Sequence, residues 1–124
     1  MTLIRTAINY APLVERFAKF LCVELEVYPK AITIASYEPD DNTLGLCLDE
    51  SDDEFIILVK DTGRDIGQVF VTIAHEMVHV KQYMKENLGW FLDNRNDIPY
   101  MERWWEKEAF SSAGPLVEKF TKNL

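Results

Sequence analysis

Apolar residues recur at helical spacing between Pro12 and Glu26, where Leu13, Phe17, Phe20, Leu21 and Leu25 fall on one face. Pro12 suits a first helical turn, and Pro29 closes the segment. The pattern then shortens. Ala31 to Tyr37, Thr43 to Asp49 and Phe55 to Val59 predict three short strands: the first holds Ile32, Thr33 and Ile34, the second alternates around Leu44, Leu46 and Leu48, and the third is a continuous apolar run. Glu38-Pro39-Asp40-Asp41-Asn42 separates the first two, and Glu50-Ser51-Asp52-Asp53 the last two. Such short links, dense in turn formers, favour antiparallel hairpins.

Asp61-Thr62-Gly63 ends the strand region, and the helical period returns from about Ile66 to Asn87. Asp65 followed three residues later by Gln68 has the form of a capping box, and Gly89 stands where a left-handed terminator belongs. Ile66, Val69, Phe70, Ile73, Met77, Val80 and Met84 form one apolar stripe, and Val71 and Val78 add apolar surface elsewhere. A helix apolar on more than one side is sandwiched between other elements. Beyond Trp90, Pro99 can open a helix from Tyr100 to about Ser112. Gly114-Pro115 is expected to break it, leaving a last short helix with Leu116, Val117 and Phe120. The whole reads as α+β: an N-terminal helix, a small, mostly antiparallel three-stranded sheet, a long central helix and C-terminal helices.

The chain has 124 residues, 48% of them hydrophobic and 27% charged, which fits one globular domain with a core of its own. Its net charge is −8, and no Lys/Arg run offsets it, so neither nucleic acid nor an anionic membrane is an expected partner. The two cysteines, Cys22 and Cys47, lack metal-type spacing and read as free thiols in a reducing compartment. No basic stretch followed by an apolar one opens the chain, and no apolar run is long enough to span a bilayer. The expectation is a soluble, cytoplasmic protein.

The central helix changes the picture. Both histidines of the chain lie in His75-Glu76-Met77-Val78-His79, an H-E-x-x-H segment. Residues four apart project from the same helix face, so the two imidazoles can share a metal ion, and zinc suits such ligands while leaving a position for water. Glu76, beside the first ligand, can take a proton from that water. A catalytic zinc site usually has three protein ligands. With no third histidine, a carboxylate must supply the last, and Glu102, Glu106 and Glu108 on the following helix are the candidates.

The H-E-x-x-H helix followed by Glu106-Lys107-Glu108-Ala109 resembles the minimal gluzincin metallopeptidases, among them the ImmA/IrrE-like and SprT-like proteins and small phage-encoded relatives. The resemblance covers about residues 12 to 113. It implies that residues 1–124 form a single zincin-like metallopeptidase domain acting on a protein or peptide substrate. It also implies that the glutamate directly before alanine, Glu108, completes a Zn2+ site with His75 and His79. Glu108 shares a helix side with a tryptophan, and Glu106 projects roughly the other way as a solvated or supporting carboxylate. The chain lacks the Asn-Glu-x-x-Ser-Asp segment of thermolysin-like enzymes and the basic surface of a DNA-associated relative. The expected activity is peptide hydrolysis with Glu76 as general base. The alternative is a non-catalytic protein that binds zinc or a partner on the same fold. Tyr83, Tyr100 and Arg103 read as packing or surface residues. Trp90, Phe91, Trp104 and Trp105 read as core more readily than as a substrate pocket.

Overall fold

The computed structural model describes residues 1–124 and is α+β. In chain order the elements are β1 (Leu3–Ala7), α1 (Ala11–Leu25), β2 (Ala31–Ser36), β3 (Gly45–Ser51), β4 (Glu54–Val59), α2 (Ile66–Lys85), α3 (Leu88–Asn94), a single 3-10 turn (Tyr100–Glu102) and α4 (Trp104–Lys122). No helix is long and apolar enough to cross a membrane.

The sheet has four strands in the order β1-β2-β4-β3 and is mixed, which corrects the expected three-stranded, mostly antiparallel arrangement. β2 pairs in parallel with β1 on one side and β4 on the other, and only β3 and β4 are antiparallel. The extra strand is Leu3–Ala7, returned to the sheet through α1 as a β-α-β crossover. The Asp52-Asp53 turn closes the β3–β4 hairpin with both residues at positive φ (52° and 58°), which matches a tight turn to the strand twist. The link from Tyr37 to Leu44 instead carries the chain past β4's position to the far edge, so β2 and β3 never pair.

One sheet face carries the core. Ile32, Ile34, Phe55, Ile57 and Val59 pack with Val14, Phe17 and Leu21 of α1 and Phe70, Ile73 and Met77 of α2 in one buried cluster. Phe17 stacks on Phe70 with ring centroids 4.4 Å apart, and Phe120 of α4 leans against both. α2 is therefore enclosed by the sheet and α1 on one side and by α4 on the other. Asp65 caps it as expected: its side chain accepts from Gln68 N at 2.8 Å, while Gln68 Oε1 accepts from Asp65 N at 3.0 Å.

The C-terminal third departs from expectation. Asn87, at φ 59°, makes the left-handed turn after α2, so Gly89 is not the terminator but sits inside α3, next to buried Leu88. Tyr100–Glu102 is only a 3-10 turn, and the helix proper starts at Trp104. It does not break at Gly114-Pro115. Both residues and Ser111 are exposed, so the pyrrolidine faces solvent and water can satisfy the Ser111 carbonyl that Pro115 leaves without a donor. The inward stripe Trp105, Ala109, Ala113 and Phe120 holds the helix to the core across that point.

Candidate metal centre

α4 packs against α2 in the opposite sense, so that Trp105 lies at the level of Gln82 and Phe110 at the level of His75. Small Ala109 and Ala113 let the two helices approach closely. Facing side chains from the two helices meet at the motif. His75 Nε2, His79 Nε2 and a Glu106 carboxylate oxygen converge, with their ligand atoms all within 4.8 Å of one another. Glu106 Oε1 lies 3.0 Å from His75 Nε2 and 3.3 Å from His79 Nε2. Two imidazole nitrogens and one carboxylate oxygen, converging on one point beside an open cleft, form a donor set that fits a divalent transition metal.

The carboxylate brought to the histidines is thus Glu106, and Glu108 is elsewhere. Glu108 Oε2 accepts from Lys81 Nζ at 2.8 Å and Glu108 Oε1 from Gln82 Nε2 at 2.8 Å. The reason is helix phase. Trp105 points into the core and the two glutamates straddle it, at roughly 100° per residue. Glu106 falls on the flank shared with Phe110, which faces the histidines, and Glu108 falls on the flank that faces Lys81 and Gln82. Sharing a side with a tryptophan did not distinguish one flank from the other.

Glu108 nevertheless acts on the site through Gln82, which is fully buried. The Gln82 amide nitrogen donates to Trp105 O at 3.0 Å and to Glu108, both acceptors only, so its oxygen must face His79. At 2.7 Å that oxygen accepts from His79 Nδ1, which must carry the proton. Nε2 is thereby the nitrogen directed at the convergence point, where it shares a proton with Glu106 and would offer its lone pair to a metal once that proton is lost. Phe110 packs edge-on to His75 with centroids 4.6 Å apart and walls that imidazole.

The electrostatics follow from burial and proximity. Burial pushes the Glu76 carboxyl above its ordinary range, against the opposing pull of His79 and His75. Burial acts the same way on Glu106, but hydrogen bonds with His75 and His79 outweigh it and hold Glu106 well below the carboxylate range. Burial alone would lower His79; Glu106 and Glu76 reverse this and raise it.

Two cavities meet over the motif. The smaller, about 210 Å³, runs from His79 towards Cys47, Tyr83, Leu88, Leu92 and Trp105. The larger, about 680 Å³, runs the other way, towards Asp41, Arg64, Val71 and Phe110. Thr43, Gly45, His75, Glu76 and Tyr100 line both, which makes one cleft with Glu76 at its centre. Edge strand β3 forms one wall. Tyr100 forms part of the opposite wall, its hydroxyl donating to Glu106 Oε1 at 3.1 Å. A Cβ at Gly45 would lie 2.5 Å from Thr72 Cγ2 and 3.2 Å from Glu76 Oε2, so the missing side chain makes room for the Glu76 carboxylate.

Sequence reasoning brought His75, Glu76 and His79 together as found, and missed Gln82, Gly45 and Arg64. Tyr100 was read as packing but borders the cleft. Gln82 stands three residues after His79, on the same side of the helix, and that spacing was the usable signal. Comparisons of the chain with protein families, with curated proteins and with solved structures gave no match.

Proposed function

We propose that this chain is a zinc-dependent peptidase of the minimal gluzincin kind, with His75, His79 and Glu106 holding the ion and Glu76 as general base. The observation that carries the reading is the convergence of the two imidazoles and Glu106 at the floor of a cleft whose centre is an adjacent carboxylate. A bound zinc ion supplies a Lewis acid that acidifies water and polarises a carbonyl. The chain's residues supply the rest. No protein hydrogen bond engages the Glu76 carboxylate, and burial raises its basicity above that of an exposed glutamate. It takes a proton from the attacking water and returns it to the leaving amine nitrogen. β3 is an edge strand, and its free backbone groups can align an extended peptide across Gly45.

The test is turnover of a mixture of unstructured peptides by zinc-reconstituted protein, read by mass spectrometry, against a Glu76→Gln variant. Cleavage by the wild type, abolished in the variant while zinc stays bound, supports the reading. Bound zinc without any cleavage returns the protein to a non-catalytic metal-binding role.

A further inference from the structure

Arg64 is the only lysine or arginine lining either cavity of the cleft, and it has no acidic partner. Its guanidinium is held by neutral acceptors: Nη1 donates to Lys60 O at 2.8 Å, and Nη2 to Gln68 O at 3.1 Å and Thr72 Oγ1 at 2.8 Å. Three of its five donors are thereby engaged, and the charge is fixed in place without being neutralised. In a chain of net charge −8, carboxylates to pair with are plentiful. The same cavity is lined by two carboxylates, Glu76 and Asp41; neither pairs with Arg64, and Asp41 is turned to its own loop, where it accepts from Thr43 N at 2.9 Å and from the Thr43 hydroxyl.

The position relates this charge to the reaction centre. Thr72 precedes Glu76 by four residues of α2, a step of about 6 Å along the axis. An extended peptide advances about 3.4 Å per residue. A group one or two residues from the bond above Glu76 therefore reaches Arg64. Leu44, Val71, Phe110 and Ala113 give the same cavity apolar walls. Apolar walls ending at a rigid, unneutralised cation suit a short hydrocarbon stem that carries an anion.

We infer that the larger cavity is a subsite for a carboxylate-bearing group next to the scissile bond, with Arg64 as its counter-charge. The inference rests on the peptidase reading and names its substrate class. The carboxylate is either an acidic side chain or the peptide's C-terminus.

The experiment uses zinc-loaded protein and matched peptides: Glu against Gln at each position flanking the cleaved bond, and free against amidated C-termini. The subsite predicts that one such pair differs by about tenfold or more in kcat/KM in favour of the carboxylate, the size of a charge-assisted hydrogen bond. A preference for the Glu peptide assigns an internal acidic residue, and one for the free terminus assigns end recognition. In Arg64→Gln the ratio should fall to about one, and Arg64→Lys should retain part of it. A purely structural role for Arg64 lowers both members of a pair equally and leaves the ratio unchanged, which overturns the inference. So does a wild-type ratio of one or below, a comparison that needs no variant. Binding of the same peptides to zinc-loaded Glu76→Gln protein, read by fluorescence anisotropy, separates the two readings. A carboxylate preference in binding without wild-type cleavage keeps the subsite and removes the peptidase. Cleavage without preference does the reverse.

Discussion

Gln82 Oε1 accepts a hydrogen bond from His79 Nδ1 at 2.7 Å, and this contact sets which nitrogen of His79 faces Glu106. The glutamine is itself oriented by Trp105 O and Glu108, so the order runs from α4, through a buried amide, to the imidazole of a candidate ligand. Gln82→Met preserves most of the volume and removes the acceptor. Zinc affinity should fall by about 10- to 100-fold while the fold is retained, as is usual when a supporting partner of a ligating histidine is lost. Competition with a chromophoric chelator measures it; unchanged affinity would show that the contact does not orient the ligand.

Glu108 should behave as a stabilising residue. Burial alone would raise its carboxyl, but hydrogen bonds from Lys81 and Gln82 outweigh this and hold it below the ordinary value of 4.5. A carboxyl lowered by folding contributes stability that is fully present above the unfolded value and lost as pH falls through the folded one. Glu108→Gln should therefore cost about 1 kcal/mol near neutrality, kept small by partial exposure of the pair. The difference from wild type should vanish in acid, below the folded value. Urea denaturation of both chelator-treated proteins across pH tests this, and a difference that grows in acid contradicts it.

Gly45 is a steric prediction. Gly45→Ala places a methyl group 2.5 Å from Thr72 Cγ2. The expected loss is about 1–3 kcal/mol of stability, as for overpacking elsewhere, together with impaired turnover because Glu76 lies beside the new atom. Thr72→Ser removes the clashing methyl and keeps the hydroxyl for Arg64, so it should restore most of the stability in the double variant. Thermal denaturation of the four proteins in the cycle decides, and additive losses would place the strain elsewhere.

Cys47 lines the smaller cavity, and burial, followed by the charges of Glu76 and Asp49, pushes its thiol well above the ordinary value. Alkylation by iodoacetamide at about pH 8 should be far slower than for an exposed thiol, and should rise as pH increases beyond 9, because only the thiolate reacts. Peptide mass spectrometry on the Cys47 segment gives the rate directly. Ordinary thiol reactivity at about pH 8 would contradict that environment.

The helices over the core were legible because their signals are local. The Leu13–Leu25 spacing, the Asp65/Gln68 cap and the stripe from Val69 to Val80 each depend on residues within a turn or two. β1 was not legible. Leu3–Ala7 has five residues with alternate positions exposed, and its identity as a strand depends on Ala31–Ala35, far along the chain. The parallel pairing of β2 with β4 was hidden for the same kind of reason, since β3 lies between them in sequence but outside them in the sheet. At the site, i and i+4 spacing placed His75 and His79 on one face without further help. The choice between Glu106 and Glu108 depends on the rotation of α4 about its axis, which Trp105, Ala109 and Ala113 set through packing against α2. The continuity of α4 through Pro115 likewise depends on which side of the helix faces water.

The most direct test of the site is zinc stoichiometry, measured by plasma emission on wild type, Glu106→Gln and Glu108→Gln after reconstitution and removal of free metal. The geometry predicts one zinc per chain in the wild type and in Glu108→Gln, and loss of tight binding in Glu106→Gln. Zinc retained by Glu106→Gln and lost from Glu108→Gln, or none bound by the wild type, would contradict the metal centre described here.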